Sequence, residues 1–246
     1  MVSSEEWRFQ KHVCIATLFA LVTGYADVVS LVRYQAFASI LTGNAIWLAR
    51  VVVDPLSSKH TCWYYVAICS SFAFGSLIHR LCELKWPNEG GSTAARPLAL
   101  LMLMGELAYV LTDCEVVFME SNCKEGYIHP YEKDLRWTVV LVAPLFGVIA
   151  AVCSTGRVGT HTTMVTGHIL TLTGSMGNIL MLRKLSPAER RKSLMSMMVI
   201  TGTMAGACLG SWALLKAQVH HILLFPVPPL IYCLLWLHDH WPNKDP

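Results

Sequence analysis

The chain has 246 residues, of which 54% are hydrophobic and only 14% charged. A soluble domain carries about 25% charged residues, so this composition argues against a water-soluble enzyme, a disordered chain or a nucleic-acid-binding protein. The mean hydropathy is +0.48, and the formal net charge of +3 is too small to imply an acidic partner.

Residues 1–12 form a short polar segment with Glu5, Glu6, Arg8 and Lys11. The apolar run that follows is too long for a signal-peptide core and has no small-residue cleavage site, so it reads as a retained first helix. A membrane helix needs about 20 mostly apolar residues. Seven or eight candidate segments follow, at 13–32, 36–53, 62–81, 98–118, 138–155, 158–182, 196–215 and 219–237. They group into a first membrane half at 13–118, a polar connecting loop at 119–136, a second half at 137–237 and a C-terminal tail at 238–246. The turn-rich stretch 86–92 reads as a linker. Ser186, Pro187 and Glu189 read as a helix start. Trp7, Trp63, Trp86, Trp137, Trp236 and Trp241 sit near segment ends, the depth amphipathic rings prefer.

Cysteines number nine, but seven fall in apolar runs and none forms a Cys-x-x-Cys pair. They read as free, buried thiols, with Cys123 in a polar loop as the exception. No Asn-x-Ser/Thr acceptor occurs.

The segment order looks like an internal duplication. Gly24 leads to Leu41-Thr42-Gly43-Asn44, and Gly147 leads to Val165-Thr166-Gly167-His168. The sixth segment is barely hydrophobic: Thr160, Thr163, Gly167, Thr171, Gly174 and Asn178 make one small, polar face at helical spacing. Such a face avoids lipid, because unpaired polar groups in hydrocarbon are costly. The second and sixth segments therefore either cross or only enter the membrane. Eight crossings place 13 Lys and Arg on the N-terminal side against 6, and six crossings place 12 against 7. Both put the termini in the cytoplasm by the positive-inside rule, and both stay open. Eight would give two parallel four-helix halves, six two inverted three-helix halves.

At Gly24-Tyr25-Ala26-Asp27, then Leu41-Thr42-Gly43-Asn44, and at Val165-Thr166-Gly167 after Gly147, the chain resembles the YoaK-like family. These are small multi-pass membrane proteins classed as a domain of unknown function. The resemblance implies a helical membrane fold and brings no established activity. The chain departs from the family pattern at Val28, at Ala150 and Ala151, and at His168.

Asp27 lies inside the first apolar segment, where an ionisable group reads either as functional or as a partner for Arg33, Arg157 or a helix terminus. Thr42, Gly43 and Asn44, with Thr166, Gly167 and His168, mark paired helix breaks. Two such breaks in matching halves point to a midplane site for a small solute, and small residues serve equally as helix-packing glue. Glu106 stands in the middle of the fourth segment and can carry a proton, with Asp113 on the same face and Glu115 after it. His161 and His168 share one face of the sixth segment. His220, His221, His238 and His240 read as interfacial. No spacing supplies the three or four ligands of a metal site, and no cofactor is expected. Gly202, Gly206 and Gly210 form a close-packing stripe, read as packing inside one chain, with a homo-oligomer open. Arg190, Arg191 and Lys192 read as a topology determinant.

Together these features describe an all-α polytopic membrane bundle of six to eight spans, built from two repeated halves. The expected activity is a transporter or channel for a small polar solute or ion, with a central site at the paired Thr-Gly breaks. It is not expected to be an enzyme, since soluble catalytic signatures are missing. The alternatives are a membrane enzyme acting on a lipid-like substrate through His168, Asp27 and Glu106, and a non-catalytic assembly partner.

Overall fold

A computed structural model describes residues 4–54, 62–87, 89–119, 137–155, 158, 160, 165–216 and 224–241, with only the backbone of 108–119. Eight helices follow one another: α1 (Ser4–Tyr34), α2 (Leu41–Val53), α3 (Cys62–Lys85), α4 (Gly90–Met119), α5 (Trp137–Ser154), α6 (Val165–Leu180), α7 (Pro187–Lys216) and α8 (Val227–His240). No strand occurs among the described residues. Four helices are long and apolar enough to cross a membrane by themselves, namely α1, α3, α5 and α7. The backbone of α4 adds a fifth long rod of 30 residues. At 13 and 16 residues, α2 and α6 are too short to cross a hydrocarbon core of about 30 Å. The protein is a helical membrane bundle.

Helix starts follow local chemistry. In α7, the Ser186 hydroxyl accepts the Glu189 N–H at 3.2 Å, while the Glu189 carboxylate accepts the Ser186 N–H at 2.7 Å. This reciprocal cap satisfies two otherwise orphan donors. It starts α7 nine residues before the apolar run. The linker glycines Gly90 and Gly91 are helical rather than loop. Their helix is capped from a distance: the Asp239 carboxylate accepts the Ser92 N–H at 2.8 Å and the Ser92 hydroxyl at 2.7 Å. Helix α1 ends where Gln35 turns left-handed at φ 51°, a conformation costly to a side chain and used to stop helices.

Two helix pairs form the spine. Gly24 of α1 lies against the backbone carbonyl of Thr203 in α7, and Gly206 lies against that of Leu21. Gly147 of α5 lies against the backbone carbonyl of Phe72 in α3, and Gly75 against that of Pro144. In each case glycine is required because a β-carbon would collide with backbone. The packing glycines Gly202, Gly206 and Gly210 thus all face α1 of the same chain, at Thr17, Leu21 and Tyr25.

Contacts along the helices set their directions. Arg191 near the start of α7 pairs with Glu5 and Glu6 at the start of α1, and Gly210 meets Tyr25 further along, so α1 and α7 run parallel. Tyr64 meets Trp137, and the Ser76 hydroxyl donates to the Gly147 carbonyl at 2.9 Å, so α3 and α5 run parallel. Helix α4 opposes α5, with Gly91 beside Val152 and Gly105 beside Leu141. The end of α8 reaches the starts of α4 and α1, through Asp239–Ser92 and Trp7–Trp241. Therefore α1, α4 and α7 point one way, and α3, α5 and α8 the other. The short helices change no direction: α1 and α3 are opposed across α2, as are α5 and α7 across α6.

Candidate functional site

The two Thr-Gly motifs open α2 and α6. In both, the residue after the glycine is the buried one. Asn44 is 1% exposed and His168 is 6% exposed, while Thr42, Thr166 and Gly167 face outward. Asn44 clamps the preceding extended segment. Its Oδ1 accepts the Phe37 N–H at 2.9 Å, and its Nδ2 donates to the Phe37 carbonyl at 2.7 Å. His168 does the parallel task with side chains: its Nδ1 lies 3.1 Å from the Ser196 hydroxyl, and its Nε2 lies 3.4 Å from that of Thr160. Both contacts hold a short helix by its first turn to its surroundings.

Each short helix packs on the following long helix of its own half, α2 on α3 and α6 on α7. Among the described residues, α2 and α6 do not touch. The two Thr-Gly breaks thus lie apart, each beside the long helix that follows it. Ser175 and Ser193 meet at 2.6 Å, and Asn178 reaches Glu189 at 3.4 Å, so the polar face of α6 is spent largely on α7.

The two sites differ in filling. Gly43 sits under the Phe37 ring, and Trp47 stacks on Tyr65 at 6.4 Å. Among the described residues nothing lies over Gly167. A cleft of about 400 Å³ opens there between α1, α6 and α7.

Asp27 is buried and fully engaged. Its two oxygens accept the Ser39 N–H at 2.9 Å and the Ser39 hydroxyl at 2.5 Å. The carboxylate thus holds the extended segment that leads into α2, the helix-terminus role among those considered. Glu106 is 6% exposed, and neither of its oxygens has a hydrogen-bond partner among the described residues. Helix α1 also buries the hydroxyls of Thr23 and Ser30 without partners among the described residues. At helical spacing these two share one face of α1 with Asp27 and Tyr34.

His161, Arg157, Cys123, His220 and His221 lie outside the described residues, as do the side chains of Asp113 and Glu115. The described cysteines are all free. Among the described residues no group of three His, Cys, Asp or Glu is placed to hold a metal. Asp239 stands between the two C-terminal histidines read as interfacial, yet it is buried. Its side chain is 1% exposed, and His238 Nδ1 lies 2.9 Å from it. Only its pairing with Ser92, 147 positions away, reveals this role, and no local pattern announces it.

No curated protein and no solved structure matches the chain. The model of one family, described as a protein of unknown function (DUF1275), matches residues 15–236, in keeping with the YoaK-like motifs, and the chain belongs to that family.

Proposed function

We propose that the protein is a six-crossing membrane transporter or channel for a small polar solute or ion, built from two inverted repeats. One observation carries the reading. A shift of 123 residues takes Leu21 and Gly24 to Pro144 and Gly147, and a shift of 131 takes Phe72 and Gly75 to Thr203 and Gly206. These residues make two of the backbone approaches in each spine, so α1 on α7 and α5 on α3 read as one interface built twice. Helices α1, α3 and α4 run up, down, up, and their counterparts α5, α7 and α8 run down, up, down. Each half carries one short helix that starts inside the bundle and returns to the side it came from. Inverted halves with broken helices suit alternating access, because exchanging the conformations of the halves turns an outward opening into an inward one.

Glu106 is the candidate coupling group. A buried carboxyl without a hydrogen bond is held in place by a bound proton or cation, or it is costly. Glu106→Gln is expected to leave the protein folded and to lower proton- or cation-coupled flux in proteoliposomes, because an amide neither releases a proton nor balances a cation. Unchanged flux would remove Glu106 from the pathway.

Crossing number has its own test. Single cysteines placed in 88–92 and 186–192 are expected to react with an impermeant maleimide from one side of the membrane, and one in 120–136 from the other. Labelling of the first two from opposite sides excludes the inverted arrangement. The short turn and the α7 start carry Lys85, Arg190, Arg191 and Lys192, so the positive-inside rule places that side, with both termini, in the cytoplasm.

A further inference from the structure

We infer that the cleft between α1, α6 and α7 is a binding site for a small oxyanion, a carboxylate or phosphate group. The argument begins with what fills the corresponding place in the first half. A shift of 124 residues takes Gly43, Asn44 and Trp47 to Gly167, His168 and Thr171, and a shift of 131 takes Tyr65 to Ser196. In the first half, the Trp47 ring stacks on Tyr65 and Phe37 covers Gly43, so the space is packed with aromatic rings. In the second half a threonine and a serine replace the stacked pair. Among the described residues nothing lies over Gly167, and a cleft of about 400 Å³ remains.

Two cations, Arg191 and Lys192, line it beside the rings of His12 and His168 and the hydroxyls of Thr171 and Ser196, and no carboxylate is among the described lining residues. Glu5 and Glu6 pair with Arg191 from outside the lining and fix the guanidinium. Lys192 forms no ion pair among the described residues. Ammonium, guanidinium and hydroxyls together are a donor set that recognises an oxyanion.

The chemistry is shared by two sources, a soluble anion and an anionic lipid headgroup. Both reach the α7 start, and one experiment separates them. Thermal unfolding of the whole chain is followed in neutral detergent with phosphate or succinate against chloride at equal ionic strength. It is followed again in phosphatidylcholine nanodiscs with and without phosphatidylglycerol. Two variants accompany the wild type: Lys192→Gln, which removes the free charge, and Thr171→Trp, which places a ring where Trp47 stands in the first half. Stabilisation of the wild type by about 2–4 °C with a soluble anion assigns the site to a solute. The same shift with phosphatidylglycerol alone assigns it to a headgroup. In either case the apparent affinity is expected to fall at least about tenfold in Lys192→Gln and the shift to vanish in Thr171→Trp. The absence of any anion-dependent shift in the wild type, or equal shifts in wild type and both variants, overturns the site. Binding is read without flux, so this result stands apart from the transport proposal.

Discussion

Replacing Gly206 by leucine is expected to part α1 from α7 and to prevent recovery of a monodisperse protein. A β-carbon at Gly206 collides with the Leu21 carbonyl, and the amide of Tyr25 stands 2.9 Å away. Backbone cannot step aside as a side-chain end can, so the cost falls at or above the upper end of overpacking, about 3 kcal/mol or more. Gly75→Leu meets the carbonyl of Pro144 in the same manner and is expected to cost as much. Gly174→Leu is the control. Nothing lies within 4 Å of its β-position, and the effect is expected to stay within about 0.5 kcal/mol. Size-exclusion profiles and thermal unfolding in detergent read all three. Equal behaviour of Gly206→Leu and Gly174→Leu would refute the close approach of α1 and α7. Loss of stability in Gly206→Leu and Gly75→Leu together, at similar size, is what two copies of one interface require.

The second large effect belongs to Asp27. Changing it to leucine strands the Ser39 N–H and hydroxyl in a buried setting, since both donate to its carboxylate. Leaving buried donors unpaired costs about 1–3 kcal/mol each, and Asp27→Leu is expected to destabilise by about 3 kcal/mol. Asp27→Asn keeps one oxygen as an acceptor and is expected to cost roughly half as much. Ser39→Ala removes the shortest of the contacts and is expected to resemble the asparagine variant. The measurement is the unfolding temperature of each variant in one detergent. If Asp27→Asn leaves stability untouched while flux is lost, the carboxylate serves transport rather than the loop. The contrast with Glu106 is instructive. One buried carboxylate is satisfied by its own chain, and the other has no hydrogen bond among the described residues.

Much of the architecture is legible in the letters. Apolar runs long enough to span lipid mark α1, α3, α5 and α7, and the Ser186–Glu189 pair marks the start of α7. The close-packing glycines of α7 announce a helix at backbone distance, though not which helix. Helix ends are the weakest reading. Helices α1, α4 and α7 begin about eight or nine residues before their apolar runs, at Ser4, Gly90 and Pro187. The extra turns are held by polar contacts outside the apolar run: Glu5 and Glu6 with Arg191, Ser92 with Asp239, and Ser186 with Glu189. Hydropathy has no access to such contacts. The short helices α2 and α6 stand out in the sequence by their glycine and threonine content, and at 13 and 16 residues each falls below the length of a span.

By itself, the sequence determined that this is a helical membrane protein, because burying about 20 apolar residues in lipid is a local requirement that composition alone satisfies or fails. Tertiary structure decided that α1 packs on α7 and α3 on α5, that the two Thr-Gly helices stay apart, and that one of them stands beside an open, basic cleft. Those outcomes depend on which backbones approach closely enough for glycine to be needed, and on whether a ring or a hydroxyl fills the space between helices far apart in the chain. Neither condition is written in any one stretch of residues.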